Sequence, residues 1–154
     1  MSSPYPADTV YFYGATDPYS EFSHFAPYGI AMGGVWWRTV EHWFQAQKFH
    51  DATWRERIRS TGRPRQAKAL GLTREVPLRA DWEDVKDGLM HQAVTEKFRT
   101  HQALAELLLS TGDRTIVENS PYDGYWGCGA DGTGLNRLGV ILMAVRSELA
   151  RDAS

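Results

Sequence analysis

Three polar side chains in the stretch 39–49 are spaced for joint chemistry: Glu41, Gln45 and Lys48. On a helix advancing about 100° per residue, Glu41 and Lys48 fall within roughly 20° of one meridian, about 10 Å apart, with Gln45 between them. Such a row can line one wall with an acid, an amide and an amine. Val40, Trp43, Phe44 and Ala46 face the other way and seek a core, and Thr39 is placed to accept free N–H groups at the helix start. A plainer reading is also open, in which Glu41 only complements the helix dipole and Lys48 is solvated.

The remaining reactive side chains exclude several chemistries. His24, His42, His50, His91 and His101 form no His-Glu-x-x-His pattern, and His42 and His50 are too far apart for an i, i+4 ligand pair, so no metal is expected. No local motif supports a serine or cysteine nucleophile, and Cys128 stands alone among glycines. Carboxylates and aromatics are left. Glu41 and Asp123 are candidates for an acid and base pair, while Trp82 and Trp126 are candidates for clamping a planar base. Cleaving a bond between an anomeric carbon and nitrogen uses that set: a carboxylate stabilises the oxocarbenium-like sugar or activates water, and stacking holds the leaving heterocycle. Lys48 could hold Glu41 ionised, contact a phosphate, or attack the anomeric carbon as an amine of lowered pKa.

Short elements must position these groups. Residues 9–13 alternate as a strand, and 14–20, with Asp17-Pro18, form a turn-rich loop. Residues 28–32 and 35–37 are extended runs joined by Gly33-Gly34, a two-residue hairpin signal feeding the Glu41 helix. Arg38, at the junction, can reach a ligand or serve as a surface or ion-pair residue. The stretch 54–72 carries Arg55, Arg57, Arg59, Arg63, Arg65 and Lys68 against Glu56 alone, and fits two short helices, the second starting at Pro64. It is either a solvated basic face or an attraction for phosphate or nucleic acid. Asp81 suits an N-cap for a helix running to about Thr100, whose stripe is Trp82, Val85, Lys86, Leu89 and Ala93. A helix over 104–109 and a strand over 115–118 follow. The glycine-laced loop 119–136 then leads into a closing helix with a core stripe of Leu138, Ile141, Leu142, Val145 and Leu149. Its glycines either let backbone N–H groups approach an anion at that helix start or make an ordinary turn.

Composition sets the bounds. A chain of 154 residues reads as one domain, with 1–8 a tail and 9–151 the folded part. A formal charge of −2 gives no global pull on nucleic acid, so polyanion contact requires a local patch. One cysteine excludes an intrachain disulfide and fits a reducing, cytoplasmic setting. The N-terminal residues lack a basic start and an apolar run, and no stretch approaches the apolar length of a membrane span. The chain therefore reads as neither exported nor membrane-bound.

Taken together, Phe12-Tyr13, Phe22-Ser23-x-Phe25, Glu41-His42-x-Phe44-Gln45-Ala46-x-Lys48-Phe49, Asp81-Trp82 with Lys86 and Met90, Lys97-Phe98, Asp123-x-x-Trp126-Gly127-x-Gly129 and Gly134-x-Asn136-x-x-Gly139 resemble the YbiA or NADAR family. The order and spacing of the pieces carry the resemblance across residues 10–149. It implies an α+β fold, a single compact domain that is mostly helical with a small β-sheet. It also implies a metal-independent N-glycosidase without cofactor, acting on early riboflavin-pathway ribosylamino-pyrimidine phosphates or removing ADP-ribose from guanine in nucleic acid or nucleoside. Carried over by motif, Glu41 and Asp123 are the acidic residues, Lys48 is a participant, and Trp82 and Trp126 flank the base. Phe12, Tyr13, Ser23, Arg38, Gly127, Gly134 and Asn136 are substrate contacts, the Gly134–Asn136 turn serving the ribose or phosphate end. His24 departs from the commoner Asn of the Phe-Ser-Asn-Phe motif, which bears on the ligand contact beside it. The competing class is a module that binds ADP-ribose or a nucleotide without chemistry, for which two carboxylates would be superfluous.

Overall fold

The computed structural model describes residues 3–153; Met1 and Ser2 of the expected tail lie outside the described residues. The protein is α+β and mostly helical, and the chain divides into two compact units, Met1–Ser23 with His101–Ser154, and His24–Thr100. The small sheet expected from sequence resolves into two separate two-stranded sheets, one in each unit.

In the first unit, β1 (Val10–Phe12) pairs in parallel with β4 (Ile116–Glu118), Val10 opposite Ile116 and Phe12 opposite Glu118. A parallel pair needs a long crossover. Here the return to β4 is made through α5 (Gln102–Ser110), and the sheet is backed by α6 (Arg137–Asp152). α6 lies so close to β4 that a Cβ at Gly139 would collide with the Ile116 carbonyl oxygen. Leu138, Ile141, Leu142 and Val145 are buried as the stripe predicts, but Leu149 is only half-buried, so the apolar face ends a turn early. Residues 3–8 are tied to this unit: Ser3 Oγ is hydrogen-bonded to the Tyr11 hydroxyl at 2.9 Å, and Tyr5 meets the Tyr11 ring edge-on.

The second unit opens with the hairpin of β2 (Ile30–Met32) and β3 (Val35–Trp37), antiparallel, with Met32 opposite Val35. Gly33 and Gly34 both have positive φ (61° and 77°), the conformation such a tight connection demands and one only glycine adopts freely. α1 (Val40–Ala46) follows at once and is the hub, packed on α2 (Ala52–Arg59), α3 (Pro64–Gly71), α4 (Trp82–Thr100) and β3. Thr39 caps it, its hydroxyl accepting from the His42 N–H at 3.1 Å. α1 is shorter than its pattern suggested. Gln47, Lys48 and Phe49 bond to carbonyls three residues back, a tightened last turn that puts Lys48 just beyond the regular helix.

Every residue of α1 is buried, Glu41 and Gln45 included, while Lys48 beyond it is half-buried. The α4 stripe also differs from expectation: Trp82, Met90, Ala93, Val94, Lys97 and Phe98 are buried, while Val85 and Leu89 are only half-covered. The observed face follows steps of four and three from Trp82, and the buried cation Lys97 takes a core position, its ammonium 5.7 Å from the Tyr28 ring centre and 5.5 Å from that of Phe98.

Candidate active site

In the second unit a carboxylate, an amide, an imidazole and an amine converge around α1. Glu41, in the first turn, is 2% exposed. Its backbone N–H donates to the His24 carbonyl at 3.0 Å, which fixes where the carboxylate starts. One turn on, Gln45 Nε2 donates to Glu41 Oε2 at 3.1 Å, and His24 Nε2 lies 3.5 Å from Glu41 Oε1. His24, the sequence departure from the motif, is thus the acid's neighbour. Gln45 Oε1 is buried without a hydrogen-bond partner among the described residues. Turning the amide over would set that oxygen against a carboxylate, so the present orientation is the favourable one.

Lys48 completes the row. Its ammonium donates to the Gly71 carbonyl at 3.2 Å and stands 5.9 Å from the centre of the Trp82 ring. Burial pushes its pKa below the ordinary lysine value; Glu41 pulls it back up, and Lys68 and Lys86 add to the lowering. Lys86 is held by Glu83 at 2.7 Å, and Lys68 lies 5.9 Å from the Phe25 ring centre. Trp82 is buried and packs on Phe44, ring centres 5.0 Å apart, so it walls the Lys48 ammonium. The candidate for clamping a base therefore lies against α1. Arg38 is apart from this cluster, exposed beside a hollow with Trp36, Arg59 and Ser60.

A histidine one residue from Glu41 braces the same helix. His42 Nε2 must donate to the Thr61 carbonyl at 3.0 Å, which leaves Nδ1 to accept from the Thr39 hydroxyl at 2.8 Å. Burial, the largest cause, holds its pKa below the usual value.

The remaining sequence candidates belong to the first unit. Asp123 is half-buried and its Oδ1 accepts from the Tyr125 and Trp126 N–H groups at 2.9 and 2.8 Å, so it shapes the loop. Trp126 is half-buried with Tyr125 edge-on, ring centres 4.9 Å apart. Asn136, at φ 51°, uses both ends of its amide on β4: Oδ1 accepts from the Glu118 N–H and Nδ2 donates to the Ile116 carbonyl, each at 2.9 Å. It therefore positions the turn. Gly127 and Gly134 are similarly structural, since a Cβ at either would come within 2.7 Å of Glu118 Oε2 or of the Gly127 carbonyl oxygen respectively. Phe12, another candidate contact, is closed into the core edge-on to Phe22; Tyr13 is exposed and Ser23 half-buried.

The anion-binding reading of the glycine loop also changes. The Arg137 and Leu138 N–H groups donate to the Tyr125 and Trp126 carbonyls at 3.0 Å, so these two donors at the start of α6 are taken by the loop itself. Sequence reasoning passed over Glu118, a buried carboxylate on β4 packed against Gly127; a charged residue closing an apolar strand was its one signal. Among the described residues no group of three or more His, Cys, Asp or Glu is arranged to hold a metal, and no helix is long and apolar enough to cross a membrane.

Comparison with known proteins agrees with this architecture. The NADAR domain family matches residues 11–150. An N-glycosidase of Nostoc punctiforme is 49% identical over 144 residues, 92% of each chain. N-glycosidase YbiA of Escherichia coli is 46% identical, covering 93% of this chain and 90% of its own. A riboflavin biosynthesis protein of Vibrio vulnificus is 39% identical over 94% of this chain and 39% of its own length. The NMR structure of Escherichia coli YbiA superposes with a TM-score of 0.88 at 42% identity, over 99% of this chain and 89% of that one. The chain belongs to the NADAR family. It is an N-glycosidase, a hydrolase of N-glycosyl bonds.

Proposed function

We propose that the substrate is a ribosylated heterocycle bearing phosphate and that Glu41 is the carboxylate that acts on it. The observation carrying this reading is the burial of Glu41 in a bracket of Gln45 and His24, with the Lys48 amine in the same row. In the reaction, water adds to the anomeric carbon, the C–N bond breaks and the departing nitrogen takes a proton. Glu41 accepts the proton from that water and stabilises the positive charge that develops on the sugar. Lys48, with Lys68 and Lys86 near enough to depress its pKa, makes a cationic margin suited to the phosphate.

Asp123, Trp126, Gly127, Gly134 and Asn136 are proposed to serve as the loop that the hydrogen bonds above hold in shape, and Tyr13 and Ser23 as ligand contacts. Two substrates fit. The riboflavin name of the Vibrio relative supports a ribosylamino-pyrimidine phosphate, and the basic run of α2 and α3 supports ADP-ribosylated guanine in nucleic acid. A cytoplasmic setting fits a chain with one buried cysteine.

Purified protein given ADP-ribosylated guanosine or the pyrimidine intermediate, with EDTA present, should release the base from one of them. Glu41→Gln should still bind that substrate while base release falls by about 100- to 10,000-fold, the range of general acid–base contributions. Retained turnover would remove Glu41 from the reaction. Binding without release by the parent protein would favour the non-catalytic module.

A further inference from the structure

Outside the Glu41 cluster, the second unit carries a hollow of about 370 Å³ lined by Trp36, Arg38, Arg59 and Ser60. That is within the range of small-ligand sites, and none of Glu41, Lys48 or Trp82 lines it. Trp36 is 53% exposed, unusual for the largest apolar side chain. Its position is nevertheless fixed: the indole rests on Gly29, where a Cβ would collide with it, and its carbonyl accepts from Arg59 Nη1 at 3.0 Å. Arg59 is locked in turn by Glu56, which takes Nε at 2.8 Å and Nη2 at 2.7 Å. Arg38 makes no hydrogen bond or ion pair with any described residue, and its charge is unspent.

We propose that this hollow is a second ligand site that takes one unit of a single-stranded nucleic acid, the base stacked on Trp36 and its phosphate on Arg38. A fixed, open aromatic face beside an unpaired guanidinium is the pairing that sequence-tolerant strand binding uses. Exposed Arg57, Arg63 and Arg65 extend the positive surface along α2 and α3, where Glu56 is the only acid between Ala52 and Gly71. A chain of net charge −2 gathers such a patch only locally, which favours a ligand with phosphates in series over a lone small anion. The site stands without the assignment of Glu41, and binding here reads out separately from base release.

The test is fluorescence anisotropy of a labelled single-stranded thymidine oligonucleotide with the full chain across a salt series. Trp36→Ala should weaken binding by about 5- to 150-fold, the effect of losing one stacked base, and Trp36→Phe should restore most of it. Arg38→Ala should lower the slope of log affinity against log salt by about 0.7, one phosphate contact on a single strand. Glu41→Gln should leave the oligonucleotide affinity as it is. Parent-like affinity and slope in both Trp36→Ala and Arg38→Ala would overturn the proposal, as would equal affinity for duplex DNA, which exposes no base to stack, or for a mononucleotide.

Discussion

Replacing Gly71 by Ala tests whether Gln45 holds the carboxylate of Glu41, the acid proposed to act on the substrate. Gly71 closes α3 against α1, and a Cβ there would collide with Gln45 Oε1 and come within 2.7 Å of Cδ and 3.3 Å of Cβ. The backbone carbonyl that receives Lys48 is untouched by the change, so the added methyl acts through the amide of Gln45. That amide is buried, and moving it breaks its bond to Glu41 Oε2. Overpacking of this kind costs about 1 to 3 kcal/mol, and a hydrogen bond to a charged group is worth about 1.5 to 3 kcal/mol. For a chain of this length each kcal/mol lowers Tm by about 2 to 4 °C. If the bond to Glu41 matters in the transition state, kcat/KM falls by about 10- to 150-fold.

The double variant isolates the cause. In a Gln45→Ala background Oε1 and Cδ are gone, only the 3.3 Å contact to Cβ remains, and Gly71→Ala should then cost almost nothing further. A coupling of about 0.5 to 3 kcal/mol between the two positions, measured by denaturant unfolding and again in kcat/KM, is the expected result. Strictly additive effects, or a Gly71→Ala protein with parental turnover, would refute the claim that Gln45 positions the acid.

Three further outcomes follow from the same geometry. Because burial lowers the Lys48 pKa, the unfolded chain keeps a proton that the folded chain has released from that lowered value up to about 10.5, and stability should climb with pH across this window; Lys48→Met should flatten the climb in denaturant midpoints. His42 is likewise lowered from 6.5, so the unfolded chain gains a proton first as pH falls below that value and stability is lost there, a loss that His42→Gln should reduce. Asn136→Ala leaves the Glu118 N–H and the Ile116 carbonyl without partners and should destabilise by about 2 to 4 kcal/mol, while Asn136→Gly, which suits the positive φ, should recover only the backbone part of that loss.

What the sequence revealed followed from local rules. The Gly33-Gly34 hairpin, the Thr39 cap, the Pro64 start of α3 and the Glu41, Gln45, Lys48 row depend on neighbours a few residues away, and each was legible. The parts that were not legible depend on distant partners. The contact of Trp82 with Phe44 is one, since nothing nearby in sequence announces it. The glycine loop stayed open between an anion cradle and an ordinary turn because spacing does not show that Tyr125 and Trp126 carbonyls occupy the Arg137 and Leu138 N–H groups. Periodicity likewise placed Val85 and Leu89 on the buried face of α4, whereas contact with β2 and α1 selects Met90, Val94 and Lys97.

Magnitudes also separate the two readings of Glu41. A carboxylate in the first turn of an exposed helix gains about 0.3 to 1 kcal/mol from the dipole, and it keeps its hydration. Glu41 is almost wholly removed from water, and desolvating a charged carboxylate costs several kcal/mol after relaxation. The dipole cannot offset that, and the bond from Gln45 with the contact from His24 is part of what does. A residue placed for helix stability alone would sit a turn-face away, in solvent, at lower cost. Glu41 is therefore held by side chains around α1 and not by the dipole alone, an arrangement that suits the role proposed for it at a sugar on which positive charge develops.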